Sequence, residues 1–500
     1  MYFLGIDLGT TGLKAVIADI EGNILGKGYR QYPLEVPHPG YAEQSPEAWY
    51  EAMCLAVRDV LTRTGIAPDE IRSIGFSGQM HGLVALDRDG NVLCPAIIHC
   101  DGRAFREKQK LCTEITTEQF GEWVQNRPNS GFQIVSLMWL RNNRPEIYAK
   151  IWYVLLPKDY LRYRLTGNYA SEVTDACSTL MFDCKKMCWN NEILQAADID
   201  PGILPDAGNH PYEISGEITA QAAADTGLCK GTIVAFGGGD TPISAVANGI
   251  LSDGDASVNI GTSAQLLVAM SEPRYDPQLR THTFCHVPEN RWYIMGATLN
   301  GCLAQNWFDR NVLNEEDFVV LGEKASDSPA GAKGLLFLPY LTGERTPHMN
   351  ERASGAFIGL TLAHDRYDMH RAVLEGVGFA LRDCLEIMNS LNVGINRLLI
   401  SGGGGKSPLW RQIVADIFEM PIRQTDFDEQ AAMGAILCAQ IAAGAYPSFE
   451  AACAAQVRDS GVITEPDPKN FEIYREEYQV FREGYTANKT LFERLRETQK

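Results

Sequence analysis

Gly5-Ile6-Asp7-Leu8-Gly9-Thr10-Thr11-Gly12, continuing through Leu13-Lys14-Ala15-Val16-Ile17, is an apolar strand that meets a tight turn and returns as a second apolar strand. The chain carries this pattern twice. Some 250 residues later, Val258-Asn259-Ile260-Gly261-Thr262-Ser263 runs into Ala264-Gln265-Leu266-Leu267-Val268. Such hairpins present backbone N–H groups and hydroxyls in a small concavity, which suits phosphate oxygens. Glycine lets the backbone bend sharply and approach a ligand closely. Gly9, Thr10, Thr11 and Lys14 are therefore candidate ligands to one end of a polyphosphate, and Gly261, Thr262 and Ser263 to the other. The copies differ where Asp7 faces Asn259. A carboxylate beside a phosphate is repulsive unless a cation lies between them, so Asp7 predicts Mg²⁺. Two matched half-sites across a cleft would clamp a nucleoside triphosphate.

Five hundred residues exceed what one hydrophobic core supports, so at least two domains are expected. A formal charge of −19 argues against a nucleic-acid or anionic-membrane surface. Any phosphate site must then be built locally, from loops and a cation. No secretory signal is read at the N-terminus, and no apolar run approaches the roughly 18 residues of a membrane helix. Thirteen irregularly spread cysteines fit reduced thiols in a cytoplasm. Cys184 and Cys188 have ligand-like spacing, but no second such pair follows.

Residues 2–36 read as a β-meander turning at Glu21-Gly22-Asn23. Glu47 to Thr64 reads as a helix, because Ser45 can cap it and Pro46 fits its first position. Residues 71–76 form a short apolar strand, 83–98 a hairpin turning at Asp89-Gly90, and 103–230 a mainly helical region. A strand at 232–236 then leads into a helix running to Asn248. The second half repeats the order, with a hairpin at 256–269, strands at 292–297 and 397–400, intervening helices and a charged C-terminal helix. Alternating strands and helices predict an α/β fold, and the duplicated hairpin predicts two related domains, 1–250 and 251–500.

Asp240 follows Gly237-Gly238-Gly239 at the C-terminal end of a strand and the start of a helix, the edge where open α/β sheets bind ligands. Phosphoryl transfer to an alcohol needs a carboxylate that orients the hydroxyl and accepts its proton. Asp240 is the candidate; the alternative for it is a simple helix cap. Gly402 to Gly405, ahead of Pro408, would let a purine and its ribose lie against bare backbone beside an electropositive helix end, with Gly403, Gly404 and Lys406 in contact. In Ser77-Gly78-Gln79-Met80-His81-Gly82, Gln79 and His81 can hydrogen-bond hydroxyls and Met80 can wall a sugar's carbon face. Asp101 and Arg103 supply further polar contacts or form a structural ion pair.

These segments together resemble the FGGY family of carbohydrate kinases, within the actin/hexokinase/Hsp70 ATPase superfamily. The resemblance covers essentially the whole length. It includes Leu156-Pro157-Lys158-Asp159-Tyr160-Leu161, Leu338 to His348 and Gly355 to Glu375. It implies two actin-like, ribonuclease H-like domains around a cleft, with the sugar and catalytic sites in the first and the adenosine site in the second. It implies ATP and Mg²⁺, with Asp7 and Asp240 near the ion and Asp240 as catalytic base. Gln79, Met80, His81, Asp101, Asp240 and Thr241 take the sugar-binding positions. A cytoplasmic homodimer acting on a small sugar is also implied.

Within the family the motifs are most similar to the xylulokinase branch, which implies transfer to a terminal hydroxyl of D-xylulose. Glycerol kinases would carry Arg-Glu where Met80 and His81 stand. Three departures fall where the sugar should lie. Thr241 replaces an asparagine, His99-Cys100-Asp101 replaces Trp-Asn-Asp, and Ser136 replaces a lysine. Losing an indole and an amide changes stacking and hydrogen bonding in a sugar pocket. A kinase for another pentulose or sugar alcohol, or a sugar sensor without turnover, are the alternatives.

Overall fold

The computed structural model describes residues 1–315, 317–425, 429–457 and 459–498. Two large sheets dominate it. The first is built from β1 (Tyr2–Leu8), β2 (Gly12–Ala18), β3 (Ile24–Gln31), β4 (Ile71–Gly78), β5 (Ile214–Glu217) and β6 (Ile233–Ala235). The second is built from β7 (Asp255–Ile260), β8 (Ala264–Met270), β9 (His282–Cys285), β10 (Trp292–Thr298), β11 (Arg397–Ser401), β12 (Ile422–Thr425) and β13 (Asp459–Thr464).

The first sheet runs β5-β6-β4-β1-β2-β3, with the short strand Gly238–Gly239 also on β4. The second runs β9-β10-β8-β7-β11-β12-β13. Strand directions repeat: β1 is antiparallel to β2 and parallel to β4, as β7 is antiparallel to β8 and parallel to β11. The register repeats as well. Asp7 lies between Lys14 and Ser77, and Asn259 between Gln265 and Ser401. The duplication read from two hairpins thus extends over whole sheets, as two mixed α/β units with a cleft between them.

All strands of the first sheet precede residue 250 and all of the second follow it. C-terminal helices cross back, and Phe449–Gln456 packs against helix Asp240–Ala247. Gln430–Ala442 packs on β1 and β4 and against helix Asp240–Ala247. A Cβ on Gly75 would lie 1.9 Å from the Ala435 carbonyl oxygen, so only glycine lets that helix approach the sheet so closely. The Ser73 hydroxyl donates to the Ala439 carbonyl across the same contact, at 2.7 Å. The halves are therefore joined at a packed seam. The longest apolar core unites β7–β10 with residues from the 104–207 region.

The expected hairpin over 83–98 is present in irregular form: the chain reverses between Asp87 and Asn91, with antiparallel bridges at Leu86–Val92 and Leu83–Ile97, and Val84–Leu86 also pairs with the distant Tyr153–Leu155. One expectation is corrected. The 103–230 region mixes its helices with short strands at Tyr153–Leu155, Ala170–Glu172, Phe182–Asp183, Cys188–Trp189 and Asp206–Asn209. No described helix is long and apolar enough to cross a membrane.

Candidate active site

The tips of the two hairpins are prepared for anions in the same way. In the first, the Gly9 carbonyl accepts the Tyr32 hydroxyl, and the Thr10 carbonyl accepts the Gln44 amide at 2.7 Å. In the second, the Gly261 carbonyl accepts from Cys302 N at 2.7 Å, and the Thr262 carbonyl accepts from Gly301 N at 2.9 Å and Leu303 N at 3.1 Å. Carbonyl oxygens that would repel a phosphate are thereby occupied from behind. Thr11, Thr262 and Ser263 are exposed. Lys14 is not free for a phosphate as expected: its ammonium pairs with Glu429 at 2.9 Å, and Lys27 shares the same carboxylate at 3.0 Å.

A cavity of about 330 Å³ opens between the sheets, lined by Asp7, Gly9, Asp240, Thr241, Asn259 and Ser401 among others. Asp7 and Asp240 both face it. Burial and the neighbouring Asp240 carboxylate push the Asp7 carboxyl up to about 6, against the pull of Ser77 and Lys14. Burial also raises Asp240, while His99 and hydrogen bonds from Thr241 draw it down. Two carboxylates that repel across one polar cavity, with the cation on Lys14 already paired, form a donor set that fits a hard divalent ion.

Helix Asp240–Ala247 begins at the end of the Gly238–Gly239 strand. Gly237 has φ 69°, a left-handed turn that brings the chain round behind β4. A Cβ on Gly239 would lie 2.7 Å from Met80 Cγ, so the Met80–His81 loop rests directly against the backbone before Asp240. Met80 is buried, and His81 adopts φ 72°. His81 Nδ1 donates to the Ser178 carbonyl at 2.7 Å, its backbone N–H donates to the Ser178 hydroxyl at 3.2 Å, and its ring stacks on Phe132 with centroids 4.4 Å apart. Burial holds His81 down to about 3, so it is neutral, with Nε2 left as the acceptor.

Two expected sugar ligands turn inward. Gln79 is buried, its amide donating to Gln44 Oε1 at 3.0 Å. Gln44 in turn donates to Thr10 O, so Gln79 links the Met80–His81 loop to the hairpin at 9–12, while its own Oε1 is buried without a partner among the described residues. The Asp101 carboxylate accepts from Ala42 N at 2.6 Å and from the Arg103 guanidinium at 2.7–3.0 Å. Arg103 is sandwiched against Tyr41 and Trp139. Of the two roles open to Asp101, the structure shows the internal ion pair. Thr241 faces the cavity, His99 is half-buried, and Ser136 is enclosed in helix Gln133–Asn143.

Several contributors were given no role from the sequence, although Lys158 and Asp159 lie in the matched Leu156–Leu161 segment. Lys158, Asp159, Arg162, Glu172 and Asp175 are a fully buried charge cluster, with Lys158 Nζ 2.7 Å from Asp159 and 3.3 Å from Glu172 and Asp175. Glu172 accepts from the Thr174 hydroxyl at 2.9 Å, and that hydroxyl accepts the Gly239 N–H at 3.1 Å, so the cluster braces the start of the Asp240 helix. Arg345, from the second half, is close enough to lower the proton affinity of His81 and His99. It lies within the matched Leu338–His348 segment, which was its signal. Phe132 lies in the segment that ends at Ser136, which resembles a family signature, and that was its signal; Ser178 had none.

A second, larger cavity of about 690 Å³ is walled by Gly261 and Thr262, by Phe318 and Val319 of helix Phe318–Ala325, and by Gly403 and Gly404. Lys406 also lines it. Gly402–Gly405 is a helical turn rather than the open loop expected, and it still presents bare backbone to the cavity. Its size and apolar wall suit a purine nucleoside.

The family model described as the FGGY family of carbohydrate kinases, N-terminal domain, matches residues 2–247, and its C-terminal counterpart matches 256–443. A xylulose kinase of Bacillus subtilis (strain 168) is 34% identical over 494 residues, 98% of either chain. Among solved structures, a xyloylose kinase from Brucella ovis superposes with a TM-score of 0.92 at 33% identity, covering 98% of this chain and 100% of that one. A gluconate kinase from Lactobacillus acidophilus superposes with a TM-score of 0.93 at 26% identity, covering 99% of each chain.

Proposed function

This chain belongs to the FGGY family of carbohydrate kinases, ATP-dependent phosphotransferases, and we propose that its acceptor is a ketopentose, D-xylulose first, phosphorylated at a terminal hydroxyl. The observation that carries the proposal is the junction at Gly239–Asp240. The Met80–His81 loop packs on one side of it, and the cavity shared with Asp7 opens on the other. One carboxylate then reaches both the acceptor and the phosphate.

In this mechanism the sugar lies against Met80, and a hydroxyl donates to the neutral His81 Nε2. Asp240, made more basic by burial, takes the proton of the attacking hydroxyl as the γ-phosphoryl group of ATP transfers in line. The Thr241 hydroxyl fixes the carboxylate at 3.2 Å so that its other oxygen is directed at the acceptor. The backbone amides and hydroxyls of the hairpins at 9–11 and 261–263 hold the phosphates, and the 690 Å³ cavity takes the nucleoside. Asp7, with Asp240, would hold Mg²⁺, which when bound supplies neutralising charge to the phosphate oxygens. Packing of the two halves around the acceptor excludes water and limits wasteful hydrolysis.

Thr241, His99 and Ser136 favour a second reading, a kinase for another pentulose or a sugar alcohol. ADP release from MgATP over pentuloses, pentitols, hexuloses, gluconate and glycerol separates the two. Highest kcat/KM with D-xylulose supports the first proposal. Turnover confined to another acceptor would overturn it and make those positions the specificity determinants.

A further inference from the structure

Two cysteines seven residues apart and a third about 100 residues on meet in the interior. Cys177 opens the turn Cys177–Thr179, and Cys184 follows the short strand Phe182–Asp183. Cys285 ends β9 in the second sheet. All are buried, and their Sγ atoms lie within 4.8 Å of one another. A fourth sulfur, Met187 Sδ, is 3.5 Å from Cys285 Sγ. Cys188, whose spacing drew attention to Cys184, is exposed and outside this group.

Buried cysteines often serve as small apolar filler. Filler does not require three thiols and a thioether to converge on one point. Zinc bound by thiolates at about 2.3 Å sets neighbouring sulfurs about 3.8 Å apart, a modest contraction of the arrangement seen. The group is also tied together before any ion enters: Cys177 Sγ accepts the Cys285 backbone N–H at 3.3 Å.

We propose that Cys177, Cys184 and Cys285 form a binding site for a thiophilic divalent cation, zinc in the first instance, with the Met187 sulfur beside it. Binding forms three metal–sulfur bonds and releases the thiol protons, with no change of oxidation state. Three thiolates around a divalent ion leave one net negative charge buried, whereas a monovalent ion would leave two, which favours the divalent one. The ion would enter past the hairpin turn 184–187, where Lys185 and Lys186 are exposed.

The site ties the two halves of the chain, and Ser178, next to Cys177, is the residue that orients His81. An ion here would steady that shelf, a consequence that rests on the proposed sugar site. The binding itself does not.

Full-length, reduced, metal-free protein titrated with Co²⁺ should develop a thiolate-to-cobalt charge-transfer band saturating at one ion per chain and displaced by Zn²⁺. Cys184→Ala and Cys285→Ala should lose the band, and Cys188→Ala should keep it. If the buried variants fold poorly, wild-type protein whose surface thiols have been alkylated decides, and should still give the band. No band in wild type, a band that survives Cys184→Ala, or loss of the band on surface alkylation would each overturn the proposal. So would two of these thiols being found as a disulfide in protein that takes up no metal after reduction. With a working sugar assay, Zn²⁺ should lower the sugar KM several-fold and leave kcat nearly unchanged.

Discussion

The Thr241 hydroxyl donates to Asp240 Oδ1 at 3.2 Å, on the first turn of a helix whose preceding residue packs against Met80. The hydroxyl's proton is thereby engaged by the neighbouring carboxylate, so in the mechanism proposed above Thr241 orients the base.

Asp240→Asn keeps the shape and removes the proton acceptor. It should lower kcat by about 10²–10⁴-fold with little change in sugar KM, because general-base catalysis contributes on that scale. Thermal stability should hold or rise, since burial disfavours the charged form. Thr241→Val should cost much less than this. Near wild-type kcat in Asp240→Asn would remove Asp240 from the mechanism.

Asp7 gives a pH signature. Its carboxyl is raised from 3.8 to about 6, so the folded chain binds this proton more tightly than the unfolded one. Its contribution to stability is thus complete below about pH 4 and is lost as pH rises through about 6. Asp7→Asn should remove that loss and raise Tm at pH 7.5 by about 1–2 °C for each kcal/mol relieved. Mg²⁺ should raise the Tm of wild type at pH 7.5 but not at pH 5, and should fail to do so in Asp7→Asn, as differential scanning fluorimetry would show.

What was legible in the sequence was local. Gly9-Thr10-Thr11-Gly12 and Gly261-Thr262-Ser263 specify their turns from their own residues, so the duplication followed. Asp240 was legible for the same reason, as a strand end beside a helix start. Asp101 was not, because nothing local says that Ala42 and Arg103 use its carboxylate. The turn within 83–98 was legible, but the second pairing of Val84–Leu86, with Tyr153–Leu155 about 70 residues on, had no local signal. The convergence of Cys177 and Cys184 with Cys285 depends on β9 of the other sheet and has no local signal.

Lys158 is enclosed with Asp159, Glu172 and Asp175. Lys158→Met would leave three buried carboxylates balanced by Arg162 alone. Breaking a buried pair in this way destabilises by about 3–5 kcal/mol. The loss should be larger at pH 8 than at pH 5, where protonation relieves the excess charge. Chemical denaturation at the two pH values tests this, and equal stability of variant and wild type at pH 8 would contradict it.

Gly403 and Gly404 separate binding from folding. A Cβ on Gly403 meets only Cys302 Sγ, at 3.6 Å, an ordinary contact, and it would stand in the wall of the larger cavity. A Cβ on Gly404 would come within 2.6 Å of Ile260 Cγ2 and 2.9 Å of the Trp410 ring. Gly403→Ala should therefore keep or raise stability, by about 0.4–1 kcal/mol through reduced freedom of the unfolded chain. It should raise the KM for ATP several-fold, and Gly403→Leu should raise it further, with sugar KM little changed. Gly404→Ala should instead lower Tm, because the Ile260–Trp410 packing must shift to admit it. If Gly403→Leu left the ATP KM at its wild-type value, the nucleoside would have to bind elsewhere than against the Gly402–Gly405 turn.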